Sequence, residues 1–183
     1  KDDFPNVAID TLAYQWSRPA PKITQPRENV IVRLCSIECN FAVPLSDPLN
    51  NKFQTDMNAW SKLSKRIFVW NYITNFRNFI APFPDWYNLG PNVKFYQEHG
   101  VTGIFQEGAY TGPGSDLMEL KDYLASAMMW DPGQDDRTVI SDFLTACMRH
   151  PPPPTFPPHL SLLQCNILHR QVSLVAPYRV AFV

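Results

Sequence analysis

One segment predicts the architecture of the chain, and it reads Val30-Ile31-Val32-Arg33-Leu34-Cys35-Ser36-Ile37-Glu38-Cys39-Asn40-Phe41. It begins with β-branched residues, which are typical of a strand that is buried on both faces. It ends with a carboxylate, a cysteine, an amide and an aromatic ring, and a core strand carries such groups when its end lines a site. The segment therefore predicts a buried strand with a site at its carboxyl end.

Two later segments repeat this order of apolar residues followed by polar or aromatic ones. They are Arg66-Ile67-Phe68-Val69-Trp70-Asn71-Tyr72 and Val101-Thr102-Gly103-Ile104-Phe105-Gln106-Glu107-Gly108. Strands that carry their polar groups at the same end indicate a parallel sheet with a site at its carboxyl edge. A fourth strand is predicted within residues 6–16, where apolar and polar residues alternate towards Tyr14 and Trp16.

The connections between these strands indicate the fold class. Residues 17–29 contain three prolines, so an extended loop is predicted between the first two strands. Apolar spacing predicts helices over 51–64, 117–130 and 135–148. A further short helix is predicted to run to His99, with Pro91 in its first turn and Gly100 after its end. This alternation predicts an α/β fold with parallel strands and right-handed crossovers. It corresponds to a partial (β/α)8 TIM-barrel-like fold, roughly half a barrel.

The C-terminal part of the chain has a different composition. A proline-rich run occupies residues 151–158, and the apolar residues that follow have no clean period. We therefore predict a half-barrel domain over residues 1–148, followed by a Pro-rich linker and apolar tail over 149–183. This tail either supplies one or two strands or is poorly ordered.

Composition restricts the classes of function. The chain has 183 residues, of which 45% are hydrophobic and 18% charged, which predicts a globular protein with one core. Its formal charge of −1 provides no basic field for nucleic acid or an anionic membrane, and no apolar run is long enough to span a bilayer. The four cysteines form no CxxC pair and the four histidines are not spaced as zinc ligands, so we predict no metal and no cofactor.

Five motifs stand in order along the chain. They are Val32-Arg33-Leu34-Cys35-Ser36-Ile37-Glu38-Cys39, Phe68-Val69-Trp70-Asn71-Tyr72, Ile80-Ala81-Pro82-Phe83-Pro84, Gly100 to Gly108, and Leu124 to Pro132. Over residues 30 to about 145 the chain thereby resembles the C-terminal half of the family of domain of unknown function 4838. The resemblance implies a barrel region of glycoside hydrolase-like proteins, similar to the α-glucuronidase and hexosaminidase type of barrel. It also implies that the family's upstream half is missing and that residues 149–183 are foreign to the family.

Two carboxylates are candidates for catalysis. Glycoside hydrolysis uses a pair of carboxylates, about 5 Å apart for retention and roughly 6.5–9.5 Å apart for inversion. Glu38 and Glu107 are predicted at strand ends two strands apart, and strands are spaced about 4.8 Å from one another, so the inverting range is accessible. We predict Glu38 as base or stabiliser and Glu107 as acid or sugar-hydroxyl ligand. The alternative is that both bind backbone groups or an arginine such as Arg33.

Aromatic and amide residues at the strand ends suit a sugar platform. The apolar face of a pyranose packs on a ring, whereas its hydroxyls need amides and carboxylates. The predicted substrate-binding residues are Tyr14, Trp16, Asn40, Trp70, Asn71, Tyr72 and Gln106. The alternative is that the rings pack the barrel core or its loops. The aromatic residues between Phe76 and Tyr87 either form a wall over the site or bury one another.

Three functions are compatible with the sequence. The first is a glycoside hydrolase-like protein that acts on or binds a saccharide, and the second is a non-catalytic, lectin-like carbohydrate-binding protein. The third is a structural or storage protein with a vestigial site. A carbohydrate is the expected partner, and because a half-barrel exposes sheet edges we also expect a homodimer or a partner chain that completes the barrel. A secreted or extracellular location is favoured.

Overall fold

A computed structural model describes residues 6–110 and 114–149, with side chains up to residue 146. Of the predicted linker and tail over 149–183, Arg149 ends the last helix and residues 150–183 lie outside the described residues. The described chain contains β1 (Ile9–Ala13), β2 (Val30–Cys35), α1 (Asn51–Leu63), β3 (Ile67–Tyr72), α2 (Leu89–Glu98), β4 (Val101–Glu107), α3 (Met118–Trp130) and α4 (Asp136–Arg149). Two short 3-10 helices cover Gln15–Ser17 and Pro48–Asn50.

The four strands form one parallel sheet in the order β1-β2-β3-β4. Its register pairs Ala13 with Leu34 and Tyr72 with Glu107, so the carboxyl ends of the strands meet at one edge. The predicted α/β fold with a parallel sheet is thereby confirmed. As predicted, the connection between β1 and β2 contains no α-helix, because its prolines remove backbone donors and disfavour helical geometry.

Pro91 lies in the first turn of its helix, as predicted. α2 begins at Leu89, and Pro91 is its third residue. The backbone N–H at this position has no partner within the helix in any case, so the proline ring removes no helical hydrogen bond.

The helices pack on one face of the sheet, which we call the helix face. α1 contributes Phe53, Met57 and Trp60 to an apolar cluster that includes Ile67 and Val69 of β3. α2, α3 and α4 share a second cluster with Ile73, which follows β3. Residues 67, 69 and 73 are spaced by even numbers and therefore lie on the same side of the strand. Sequential parallel strands with right-handed crossovers place all connections on one face in this way.

The alternate residues of the strands lie on the opposite face, which we call the aromatic face. They include four rings together with a cation, a thiol and a carboxylate: Phe68, Trp70, Tyr72, Phe105, Arg33, Cys35 and Glu107. Phe68 and Trp70 of the inner strand β3 are partly exposed, and so is Phe105 of the edge strand β4. Within the described ranges, no helix is long and apolar enough to cross a bilayer.

Candidate functional site

The centre of the aromatic face is a contact between Trp70 of β3 and Glu107 at the end of β4. The indole Nε1 of Trp70 donates to Glu107 Oε2 at 2.6 Å. Phe105 packs against the same indole in a T-shaped arrangement, with ring centroids 4.8 Å apart and an interplanar angle of 82°. A hydrogen bond to an ionised carboxylate is stronger than one between neutral groups. Glu107 is thus held in a fixed position beside two aromatic rings.

Arg33 supplies the positive charge of this face. Its guanidinium carbon lies 5.6 Å from the ring centroid of Phe68 and 5.9 Å from that of Trp70, which are cation–π distances. The carboxylate of Asp10 on β1 forms an ion pair with Arg33. This cation is therefore already neutralised, and Glu107 has the indole rather than Arg33 as its hydrogen-bond donor.

Tyr72 and Cys35 are neutral neighbours on the aromatic face. Both residues are buried, and burial raises the pKa of the Tyr72 phenol and of the Cys35 thiol. Tyr14, at the end of β1, also contributes to the raised pKa of Tyr72. A thiol with a raised pKa is a poor nucleophile at neutral pH, so this arrangement does not support cysteine chemistry.

A row of rings continues from Tyr72 along the carboxyl edge of the sheet. We call it the aromatic wall, and its members are Phe41, Tyr72, Phe76, Phe79, Phe83 and Tyr110. Tyr72 meets Phe76 at 5.7 Å between centroids, and Phe76 meets Tyr110 at 6.4 Å. The ring of Tyr110 is exposed to 74% and forms the solvent side of the row. These rings contact one another and also extend the aromatic face. A role of this connection as a wall over a binding site stays a prediction.

Asn71 and Gln106 lie on the helix face. The sequence predicted them beside the aromatic rings, as part of the same binding site. Asn71 Oδ1 accepts from Ser36 Oγ at 2.6 Å and from the Tyr96 hydroxyl at 3.1 Å. Asn71 Nδ2 donates to Gln106 Oε1 at 2.7 Å. Because a strand directs successive side chains to opposite faces, Asn71 cannot share the side of Trp70 and Tyr72. This buried network joins β2, β3 and β4 to α2.

Glu38 has different surroundings from Glu107. It lies in the turn after β2, and its Oε2 is 3.0 Å from Arg18 Nη1 and 3.7 Å from Lys52 Nζ. Arg18 is buried and also contacts Asp56 of α1 at 2.8 Å. The expected arginine partner therefore exists for Glu38, but it is Arg18, whereas Arg33 pairs with Asp10.

The remaining predicted residues occupy loops beyond the strand ends. Trp16 lies in a 3-10 helix and is 97% exposed, and Tyr14 is 38% exposed. Asn40 is also exposed, and its Oδ1 accepts the backbone N–H of Ala42 at 3.0 Å, which stabilises a turn. Of the predicted site residues, the structure thus brings together Trp70, Tyr72, Glu107 and, at the β1 end, Tyr14.

Sequence reasoning missed a buried lysine cluster next to the aromatic wall. Lys121 of α3 is fully buried and lies 2.8 Å from Asp85 Oδ1 and 3.3 Å from Asp116 Oδ2. One signal was present, because Lys121 is four residues after Leu117 and three before Leu124 and so falls on the predicted apolar stripe. A lysine at such a position indicates a buried partner.

A metal site is absent from the residues that the structure describes. Among residues 6–110 and 114–149, no three His, Cys, Asp or Glu side chains lie together as potential ligands.

Comparison with known proteins identifies a family model that matches most of the chain. The model of a family described as "Domain of unknown function (DUF4838)" matches residues 1–149. The match includes all four strands and all four helices. No curated protein and no solved structure matches the chain.

Proposed function

We propose that this chain, which belongs to the DUF4838 family, is a glycoside hydrolase-like protein that binds a saccharide on its aromatic face. The ligand would pack against Trp70 and the neighbouring rings, and Glu107 would accept hydrogen bonds from its hydroxyl groups. Tyr14 and Tyr72 would border the same site.

The arrangement of the sheet supports a partial (β/α)8 barrel as the setting of this site. Its parallel strands follow one another in sequence order, and the helices share one face. A complete barrel has the same order, with helices outside and the active site at the carboxyl ends of the strands. In that setting the aromatic face is the inner surface and Glu107 lies at the mouth. A homodimer or a partner chain that completes the barrel stays a prediction.

The observation that carries the proposal is the contact between Trp70 and Glu107. A pyranose presents both an apolar face and a belt of hydroxyl donors, so a site for it needs a ring and an acceptor side by side. The Trp70 indole donates to the Glu107 carboxylate at 2.6 Å, and the Trp70 side chain is still partly exposed. A carboxylate has about four lone-pair positions, so one bond to the indole leaves acceptor capacity for the ligand.

Binding without hydrolysis is the form of this function that the geometry favours. Hydrolysis needs a second carboxylate across the scissile bond from Glu107. Glu38 is the other predicted candidate, but its carboxylate is engaged by Arg18 and Lys52 on the α1 side. We therefore assign Glu107 to sugar binding and Glu38 to a partly exposed ion pair with Arg18, outside the site.

A glycan array tests this proposal with two matched carboxylate variants. We expect the wild-type protein and Glu38→Gln to bind the same glycans, and Glu107→Gln to bind them at least about tenfold more weakly, which corresponds to about 1.4 kcal/mol. Incubation with the bound glycans should release no reducing sugar. An array without any bound glycan would contradict the proposal, as would equal binding by Glu107→Gln. Sugar release that depends on Glu107 would instead show hydrolysis.

A further inference from the structure

Lys121 of α3 makes an unusual set of contacts for a lysine side chain. Its ammonium group donates to the carbonyl oxygens of Ile73 at 3.3 Å and Phe83 at 3.2 Å. It also forms the ion pairs with Asp85 and Asp116, and it lies 5.2 Å from the ring centroid of Phe83. An ammonium group has three donors, so all of them are used within this pocket.

These contacts stabilise the connection between β3 and α2, residues 73–88, at several points. Ile73 directly follows β3, whereas Phe83 and Asp85 lie near the end of the connection. Asp116, just before α3, adds two bonds, because its Oδ2 accepts the N–H of Phe83 at 2.9 Å and its N–H donates to Phe79 O at 3.0 Å. Both ends of the connection are thereby joined to the N-terminal part of α3.

The same connection supplies half of the aromatic wall. Phe76, Phe79 and Phe83 all belong to it, and Phe76 contacts Tyr72 of the aromatic face at 5.7 Å between centroids. The position of these rings relative to the carboxyl edge of the sheet thus depends on the groups that hold the backbone of residues 73–88. A site whose rings are already in position binds its ligand without the cost of ordering a loop.

We infer that Lys121 is the positioning residue of the aromatic wall, which it holds against the carboxyl edge of the sheet as a preformed part of the saccharide site. This inference rests on the proposed function for the identity of the ligand. The positioning itself concerns the protein alone, and it can be measured without any ligand.

A purely stabilising role for Lys121 makes a different prediction. A buried ion pair contributes little net stability compared with apolar residues of similar volume, whereas removal of one partner leaves a costly buried charge. Lys121→Met combined with Asp85→Asn removes both buried charges and keeps similar volumes. If Lys121 only compensates Asp85, this double variant restores wild-type behaviour. If Lys121 positions the wall, the bonds to Ile73 and Phe83 are still lost in the double variant.

Hydrogen exchange of the ligand-free protein distinguishes these roles. The proteins compared are wild type, Lys121→Met, the double variant and the control Lys94→Met, whose lysine donates to Gln134 O at 3.3 Å in the same helix layer. We expect at least about tenfold faster exchange of the Phe83 and Asp116 amides in Lys121→Met and in the double variant, but not in Lys94→Met. Amides of α1 should keep wild-type rates in the double variant. If Lys121→Met does not fold, the exchange rates of the double variant are compared with those of the wild type and Lys94→Met.

Affinity for the tightest-binding array glycan provides the second readout. We expect the double variant to bind at least about tenfold more weakly than Lys94→Met, with the thermal transition close to wild type. Wild-type exchange at Phe83 and Asp116 in the double variant would overturn the inference, and so would a uniform acceleration across the whole chain. If no glycan binds to the wild type, the proposed function fails, whereas the exchange data still decide the role of Lys121.

Discussion

The indole of Trp70 holds the carboxylate of Glu107 at 2.6 Å across two neighbouring parallel strands. The sheet register pairs Trp70 with Phe105 and Tyr72 with Glu107, so the indole reaches diagonally towards the carboxyl end of β4. This relationship follows from the pleat, because residues 70 and 72 of β3 and residues 105 and 107 of β4 lie on the same face. It joins an aromatic platform to a hydrogen-bond acceptor at the edge where parallel sheets carry their sites.

A double-mutant cycle measures the coupling between these two residues in saccharide binding. Trp70→Phe keeps an aromatic ring but removes the N–H donor, so Glu107 loses the bond that orients it. We expect a roughly tenfold loss of affinity in Trp70→Phe and a much smaller additional loss when Glu107→Gln is already present. Calorimetric titration with an array-selected glycan gives the four affinities. Additive effects of the two substitutions would show that the indole does not act through Glu107.

Arg18 should matter more for folding than Glu38. Arg18 is buried between Asp56 and Glu38, so Arg18→Met leaves the buried Asp56 without its cation and should cost about 3–5 kcal/mol. The Glu38 side chain is more than a third exposed, so Glu38→Gln should cost at most about 1 kcal/mol. Urea unfolding of the two variants gives both free energies. Equal costs for the two substitutions would contradict this assignment of Glu38 as a peripheral partner.

Gly103 has no room for a side chain. A Cβ atom built at Gly103 would lie 2.8 Å from the Phe68 ring, which packs across this position from the neighbouring strand. We therefore expect Gly103→Ala to lower the free energy of unfolding by about 1–3 kcal/mol. In a Phe68→Leu background the same change should cost clearly less, because the obstructing ring is gone. The same loss in both backgrounds would mean that Phe68 is not the obstacle.

Asp85 should give the protein a pH-dependent stability. Burial raises the pKa of Asp85 from its ordinary value of 3.8 to about 6, although Lys121 opposes this rise. Between about pH 4 and pH 6 the folded state therefore holds a proton that the unfolded chain releases. The contribution of Asp85 to the free energy of unfolding falls as the pH rises through this window, by up to about 3 kcal/mol.

The variant Asp85→Asn removes this titration. We expect the free energy of unfolding of Asp85→Asn, relative to wild type, to increase from about pH 4 to about pH 6 and then to level off. Chemical unfolding at a series of pH values supplies both curves. Parallel curves for the two proteins would show that Asp85 titrates in the same way in the folded and unfolded states.

The architecture was largely predictable because it depends on periodicity. Val30–Cys35, Ile67–Tyr72 and Val101–Glu107 carry apolar runs followed by polar ends, and such runs indicate buried parallel strands. The helices follow from apolar residues at helical spacing. The place of Pro91 in the first turn of α2 was predictable too, because the backbone N–H groups of that turn have no partner within the helix.

The site was harder to predict because residues that are adjacent in a strand lie on opposite faces of the sheet. Trp70, Asn71 and Tyr72 are consecutive in sequence, but the pleat turns Asn71 towards Ser36 and Tyr96 on the helix face. Arg18 gave no signal, since it lies in a proline-rich segment with no period, and its partner Asp56 is 38 residues away. Long-range pairs of this kind depend on the packing of whole elements.

The most direct test of saccharide binding on the aromatic face compares two tryptophan variants. Trp70 lies on that face, whereas Trp130 ends α3 in the helix layer and is 53% exposed. Calorimetric titration with the tightest-binding array glycan should show at least about tenfold weaker binding for Trp70→Ala and wild-type affinity for Trp130→Ala. Circular dichroism should show that both variants are folded. Wild-type affinity in a folded Trp70→Ala protein would contradict a saccharide site on the aromatic face.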